Sequence, residues 1–228
     1  MKNGSLDEEI LNKACERILN IVYRFEENRD NNAVFDRDLD HELARKVAEE
    51  TIVLMKNDSI LPLDKNDEIA FIGKFAAKPR YQGGGSSHIN SHKVVSAMNE
   101  VKGMENITYA QGYIDEKDEI VEELINEAVE AAKKSKIAVV FAGLPDNFES
   151  EGYDRTHMQM PNCQNALIDA VCEVQPNTVV VLHNGSPVEM PWKDKVKGIV
   201  EAYLGGQAIG SAVVDVLFGK VNPSGKLP

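Results

Sequence analysis

The chain is 228 residues long, 43% hydrophobic and 27% charged. That balance excludes an intrinsically disordered chain, and at roughly 150 residues per domain it leaves room for one large domain or one domain with an attachment. Lys and Arg number 25 against 37 Asp and Glu, a net charge of −12, which repels phosphate backbones and anionic lipid surfaces, so neither nucleic acid nor a membrane is an expected partner.

At the N-terminus, MKNGSLDEE lacks the apolar core of a signal peptide, and no stretch reaches the roughly 18 apolar residues of a membrane span. The expected location is therefore the cytoplasm. Residues 5–28 read as one helix: Ser5 and Glu8 form an S-x-x-E capping pair, and Ile10, Leu11, Ala14, Ile18, Leu19, Val22 and Phe25 recur at spacings of three and four. Its apolar stripe needs a cover. The polar stretch Glu26 to Asn32 reads as a connector, and a second helix starts near Asp40 with Leu43, Val47, Ala48, Ile52 and Met55 on its apolar face.

From Asp67 the pattern changes to short apolar runs, Ile69–Ile72, Ile107–Tyr109, Ile137–Ala142, Thr178–Leu182 and Ile199–Ala202. Helical segments alternate with them near Lys93–Val101, Glu119–Lys134, Asn162–Val174 and Ile209–Phe218. Strands apolar throughout are buried on both faces, and their alternation with helices specifies right-handed crossovers in a mostly parallel sheet. The expected fold is α/β, in three layers. Ligands of such sheets sit beyond the carboxyl ends of the strands, where Gly73 leads to Tyr81-Gln82-Gly83-Gly84-Gly85-Ser86-Ser87, Gly143 opens an acidic loop to Arg155, and Leu182 opens His183-Asn184-Gly185-Ser186.

The triple glycine has neither G-x-G-x-x-G nor G-K-[ST] and does not open a helix, so a phosphate loop is not expected. It reads instead as backbone approaching a ligand or another segment closely, or as a flexible surface loop. Asp36, Asp38 and Asp40 lack the glycine and glutamate of a calcium loop, and acid at a helix start accounts for them. His88 and His92 lie four apart in a segment with little helical pattern, and Cys15, Cys163 and Cys172 are scattered, so reduced thiols, no metal and no other cofactor are expected. In the acidic loop, Glu149 and Glu151 lie near Phe148 and Tyr153. A carboxylate partly desolvated by those rings acquires the raised pKa of a general acid, whereas a solvated one is merely a surface residue.

Several blocks together resemble glycoside hydrolase family 3, the β-glucosidase family, and in particular its second domain. They are the run Glu42 to Asn57 read as a helix with Ile60-Leu61-Pro62-Leu63 behind it, Gly83 to Ser87, Ser150-Glu151-Gly152-Tyr153-Asp154-Arg155 with Met160-Pro161 and Gln164, Asn184 to Val188, and Gly205-Gly206-Gln207 through Asp215 to Pro228. The resemblance covers about residues 38–228. It implies a three-layer α/β sandwich with a mostly parallel six-stranded sheet over residues 36–228, and assigns residues 1–35 to a linker helix following a (β/α)8 barrel that this chain does not contain. It also implies a retaining glycosidase in which the barrel carries the nucleophile. Glu151 takes the general acid/base role, and Tyr81, Gln82, Ser86 and Tyr153 are the expected carbohydrate contacts. Asp154 and Arg155 are expected to form a loop-fixing ion pair. The expected partners are a carbohydrate substrate and the barrel, and the orphaned apolar surface makes a homodimer plausible. A non-catalytic carbohydrate-binding or scaffolding sandwich is the competing reading.

Overall fold

The computed structural model describes residues 4–228, so the first three residues of the expected 1–35 segment lie outside the described residues. The chain divides into two units, one ending at Asp36 and one spanning Arg37–Pro228. The first contains helix α1, Glu8–Asn28. Its cap is Asp7 rather than the expected Ser5, with the Asp7 carboxylate accepting from the Glu9 N–H at 2.9 Å, and its apolar residues Ile10, Ile18, Val22 and Phe25 are exposed.

The second unit opens with α2, Arg37–Thr51, which ends six residues earlier than the expected Asn57. Thr51, Ile52 and Val53 are consecutive β-branched residues, poor in a helix and good in a strand, and Val53–Asn57 leaves as β1. The expected apolar face of α2 is also corrected. Leu43 and Val47 are exposed, while His41, Ala48 and Ile52 are buried. Polar anchors set this rotation: Arg45 Nε reaches Asp215 Oδ2 at 2.8 Å and His41 Nδ1 meets Gln207 Nε2 at 2.8 Å.

The remaining strands are β2 (Ile69–Ile72), β3 (Ile107–Ala110), β4 (Ile137–Gly143), β5 (Thr178–His183) and β6 (Gly198–Glu201). They form one six-stranded sheet of order β1-β6-β5-β4-β2-β3, parallel except for β1, which runs antiparallel to β6. Every residue of β2, β4, β5 and β6 is buried, whereas the edges β1 and β3 are half exposed. That is the burial the unbroken apolar runs require, and the three-layer α/β reading holds.

Helices α5 (Glu122–Lys134) and α6 (Asn162–Val174) pack on each other and against the sheet at β2, β3 and β4. Helix α7 (Ile209–Leu217) packs with α2 and α4. The helix expected over Lys93–Val101 shrinks to the single turn α4, Ala97–Glu100. Ser96 makes it start late by capping its N-terminus: the Ser96 hydroxyl accepts from the Asn99 N–H at 3.1 Å, and Val95 is already committed to backbone bonds with Gln207 and Gly210. A further turn, α3 (Lys74–Ala77), follows β2 directly. The core runs along the sheet and includes Phe71, Phe141, Leu182 and Trp192, whose indole N–H donates to Asn165 Oδ1 at 3.0 Å.

Candidate active site

Three loops leave the carboxyl ends of β2, β4 and β5 and converge. At the end of β4, Gly143 adopts φ +140°, and a Cβ there would stand 2.1 Å from the His183 carbonyl oxygen. Only glycine lets the acidic loop depart flush against β5. The glycine loop presses on the acidic loop in turn. A Cβ on Gly84 would meet Ser150 Oγ at 2.5 Å, and one on Gly85, at φ +78°, would meet Glu151 Cβ at 2.5 Å. The triple glycine is thus a backbone that must approach another chain segment closely, one of its two expected readings.

At the tip of this packing Ser86 and Glu151 meet. The Ser86 backbone N–H donates to Glu151 Oε2 at 2.6 Å, and the Ser86 hydroxyl donates to the same oxygen. Glu151 is exposed. The Ser86 hydroxyl, followed by the Ser86 N–H, holds its carboxyl below the ordinary value of 4.5. Of the two readings of this loop, the solvated carboxylate is the one found, because the loop carries Glu151 out to water.

Glu149, two residues earlier, turns the other way. Its side chain is only 18% exposed, and Oε2 accepts from the Gly185 N–H at 2.9 Å and from Arg80 Nη1 at 3.3 Å. Arg80 is buried and also donates to the carbonyls of Leu144 and Glu149, the latter at 2.7 Å. The two acids are thus divided between a partly buried carboxylate held through one oxygen by Arg80 and Gly185 and an exposed one at the rim. They share a cleft of about 460 Å³ with Gly83, Gly84, Ser86 and Leu204.

The other expected contacts fall around this cleft in different ways. Tyr81 and Gln82 line an adjoining cavity of about 380 Å³ that shares Arg80 with the cleft. Both are tied into the loop itself: Gln82 Nε2 donates to Tyr81 Oη at 3.0 Å and to the Ile89 carbonyl at 3.1 Å, and Gln82 Oε1 accepts from the Ile89 N–H at 3.0 Å. Tyr153 lines neither space. It is half exposed and donates through its hydroxyl to the Asp146 carbonyl at 2.9 Å. The expected Asp154–Arg155 ion pair does not form among the described residues. Arg155 instead donates to Ser186 Oγ at 2.9 Å and to the carbonyls of Pro187 and Gln159, which fastens the acidic loop to the loop after β5. No three His, Cys, Asp or Glu side chains among the described residues are grouped to hold a metal.

Sequence reasoning missed three buried polar residues at this rim. Arg80 is one. Glu201, the last residue of β6, accepts from the Tyr203 N–H at 2.8 Å and from Asn184 Nδ2 at 3.1 Å. Burial, with a smaller push from Glu149, raises its carboxyl to about 7. His183 ends β5 sandwiched by Phe141 and Phe75, at ring separations of 6.3 and 5.9 Å. Burial lowers it to about 4, so it is neutral at physiological pH. The available signal was position: each charged or titratable residue ending an otherwise apolar strand faces the rim.

The family description "Glycosyl hydrolase family 3 C-terminal domain" matches residues 52–228. The Thermostable beta-glucosidase B of Acetivibrio thermocellus is 59% identical over 232 residues, covering all of this chain and 31% of that protein. An Exo-alpha-(1->6)-L-arabinopyranosidase of Bifidobacterium longum is 43% identical over 210 residues, 86% of this chain and 28% of its own length. Among solved structures, the GH3 beta-glucosidase of Bifidobacterium adolescentis superposes with a TM-score of 0.93 at 41% identity, over 99% of this chain and 34% of that one. The chain spans about a third of the length of these relatives.

Proposed function

The chain belongs to glycosyl hydrolase family 3, of which it is the C-terminal domain, and from that premise we propose that it supplies the general acid/base of a retaining β-glycosidase, with Glu151 as the group that moves the proton. The reading rests on the division of labour between the two carboxylates. Glu149 is held through Oε2 by Arg80 and the Gly185 N–H with its side chain 18% exposed, whereas Glu151 stands exposed at the carboxyl ends of the strands with a single residue, Ser86, holding it.

In this mechanism a carboxylate carried by another part of the longer polypeptide attacks the anomeric carbon while Glu151 gives its proton to the leaving oxygen. Glu151 then takes a proton from the water that releases the sugar, the two carboxyl groups standing about 5 to 5.5 Å apart. Ser86 favours the ionised form, which suits the second step. The first step requires the protonated acid, so the other half of the cleft must exclude water from Glu151 and lift its pKa. The chain alone lacks a nucleophile in this scheme and is inactive. The substrates proposed are terminal β-glucosides, after the most similar of the relatives described above. The barrel, through the sugar contacts it contributes, selects the sugar.

The test is a chimera in which this chain replaces the matching third of the Acetivibrio thermocellus relative. Glu151→Gln and Glu149→Gln are compared on aryl glucosides with activated and poor leaving groups. Glu151→Gln is expected to lose the ~10² to 10⁴ of general acid catalysis in kcat/KM on the poor leaving group and little in kcat/KM on the activated one, whose kcat falls because the second step has lost its base. Full turnover by Glu151→Gln with weakened binding instead establishes a carbohydrate-binding role and refutes the proposal.

A further inference from the structure

We propose that Arg80 and Glu149 are positioning residues for Glu151: their partly buried ion pair fastens the root of the acidic loop to both neighbouring strand-end loops, so that the Glu151 carboxylate is delivered to Ser86. The proposal rests on the acid/base reading of Glu151.

The observations that carry it are geometric. Arg80 stands six residues before Ser86 on the loop after β2, and Glu149 two residues before Glu151 on the loop after β4. The guanidinium bonds both ends of the turn that precedes Glu151, the Leu144 carbonyl at its start and the Glu149 carbonyl and carboxylate at its finish. Nε of the same guanidinium stands 2.8 Å from the exposed Asp146 carboxylate in the middle of that turn. The Glu149 carboxylate then reaches the Gly185 N–H on the loop after β5. One charge pair thereby joins three loops.

Close packing leaves no slack above the pair. Glycine at 84 and 85 brings backbone onto Ser150 and Glu151, so a displacement of the root by an ångström moves Glu151 relative to the Ser86 hydroxyl. A surface acid has no need of such an anchorage. Burying a guanidinium costs desolvation that only its partners offset, and here every partner is on the acidic loop. Glu149 matters as the acid that does not react. Its Oε2 is taken by Arg80 and the Gly185 N–H, whereas Glu151 is held by Ser86 alone.

Two variants test the proposal. Glu149→Gln keeps the shape and removes the charge. The double variant Arg80→Met/Glu149→Met removes both charges and leaves no unpaired buried ion, so it stays informative if the single variant fails to fold. In the 228-residue chain, carboxyl-carbon NMR follows the titration of Glu151. In the chimera, kcat and KM are measured on the two leaving groups.

The expected result is that Glu151 rises from its lowered position towards the ordinary 4.5, and that kcat/KM on the poor leaving group falls about tenfold or more with kcat/KM on the activated substrate nearly unchanged. Glu151 titrating as in the wild type, in a variant whose amide spectrum is folded, overturns the proposal. So does a uniform loss on both substrates. A moved Glu151 titration combined with an active Glu151→Gln chimera supports the positioning and refutes the acid/base reading, which separates the two.

Discussion

Replacing Glu201 by Gln should change how stability depends on pH, and the sign follows from the site. Glu201 is buried at the end of β6, and burial lifts its carboxyl from 4.5 to about 7. Between those values the folded protein holds a proton that the unfolded chain releases, so this group's contribution to stability is fully present below pH 4.5 and is lost as pH rises through 7. At about 1.4 kcal/mol per pH unit, the loss across the window is about 3 kcal/mol. His183 works in the opposite sense. Burial lowers it from 6.5 to about 4, so its contribution is present above 6.5 and lost as pH falls through 4. In the wild type the two slopes oppose one another between about 4.5 and 6.5, and stability there should be nearly flat.

Glu201→Gln removes one of the two. The new amide can still accept from the Tyr203 N–H, and Asn184, whose Oδ1 has no partner among the described residues, can turn to accept from it. Urea denaturation at half-unit steps from pH 4 to 8 measures the difference between variant and wild type. The variant is expected to gain on the wild type steadily from pH 4.5 to 7, by about 3 kcal/mol in all, and to show the rising His183 slope that the wild type masks. A difference independent of pH would mean that Glu201 is ionised throughout, and the argument from burial would fail.

Other substitutions probe the remaining contacts. Ser86→Ala removes the hydroxyl donor to Glu151, so the Glu151 carboxyl should move up towards 4.5 in a carboxyl-carbon NMR titration. Gly85→Ala places a Cβ against Glu151 at φ +78° and should cost about 1 to 3 kcal/mol in thermal or urea denaturation. Arg45→Met strips the cation from Asp215, Glu49 and Glu100 and should cost about 3 to 5 kcal/mol, a loss that Asp215→Asn in the same chain partly restores. A thiol reagent should label exposed Cys15 rapidly, and Cys163 only on unfolding, since burial pushes that thiol up to about 12.

The sheet was legible because a strand buried on both faces cannot hide its character. Ile69–Ile72, Ile137–Gly143 and Thr178–His183 are unbroken apolar runs, and each proved to be an interior parallel strand. The antiparallel edge β1 was not legible. Leu54-Met55-Lys56-Asn57 carries no alternation, because only Val53 of β1 is buried and Lys56 and Asn57 bond to the Lys193 and Leu61 carbonyls, so α2 was extended through it. The rotation of α2 was hidden for a related reason. Arg45 seats it on Asp215 of α7 and His41 on Gln207 just before that helix, and hydrophobic periodicity does not register a helix that docks through polar side chains.

For the site, the glycines were informative because close approach leaves only one residue type, and a run of three marks where two backbones meet. The charges were not, since a carboxylate's role is set by what surrounds it. Glu149 and Glu151 are identical in type, lie two apart on one loop, and differ only in that Arg80, some seventy positions away, closes on the first and Ser86 on the second. Sequence neighbours could not distinguish them. The resemblance to a family chose Glu151, and what the structure adds is the contact that makes the two acids inequivalent: Arg80 pairs with Glu149, while Glu151 stands exposed on Ser86.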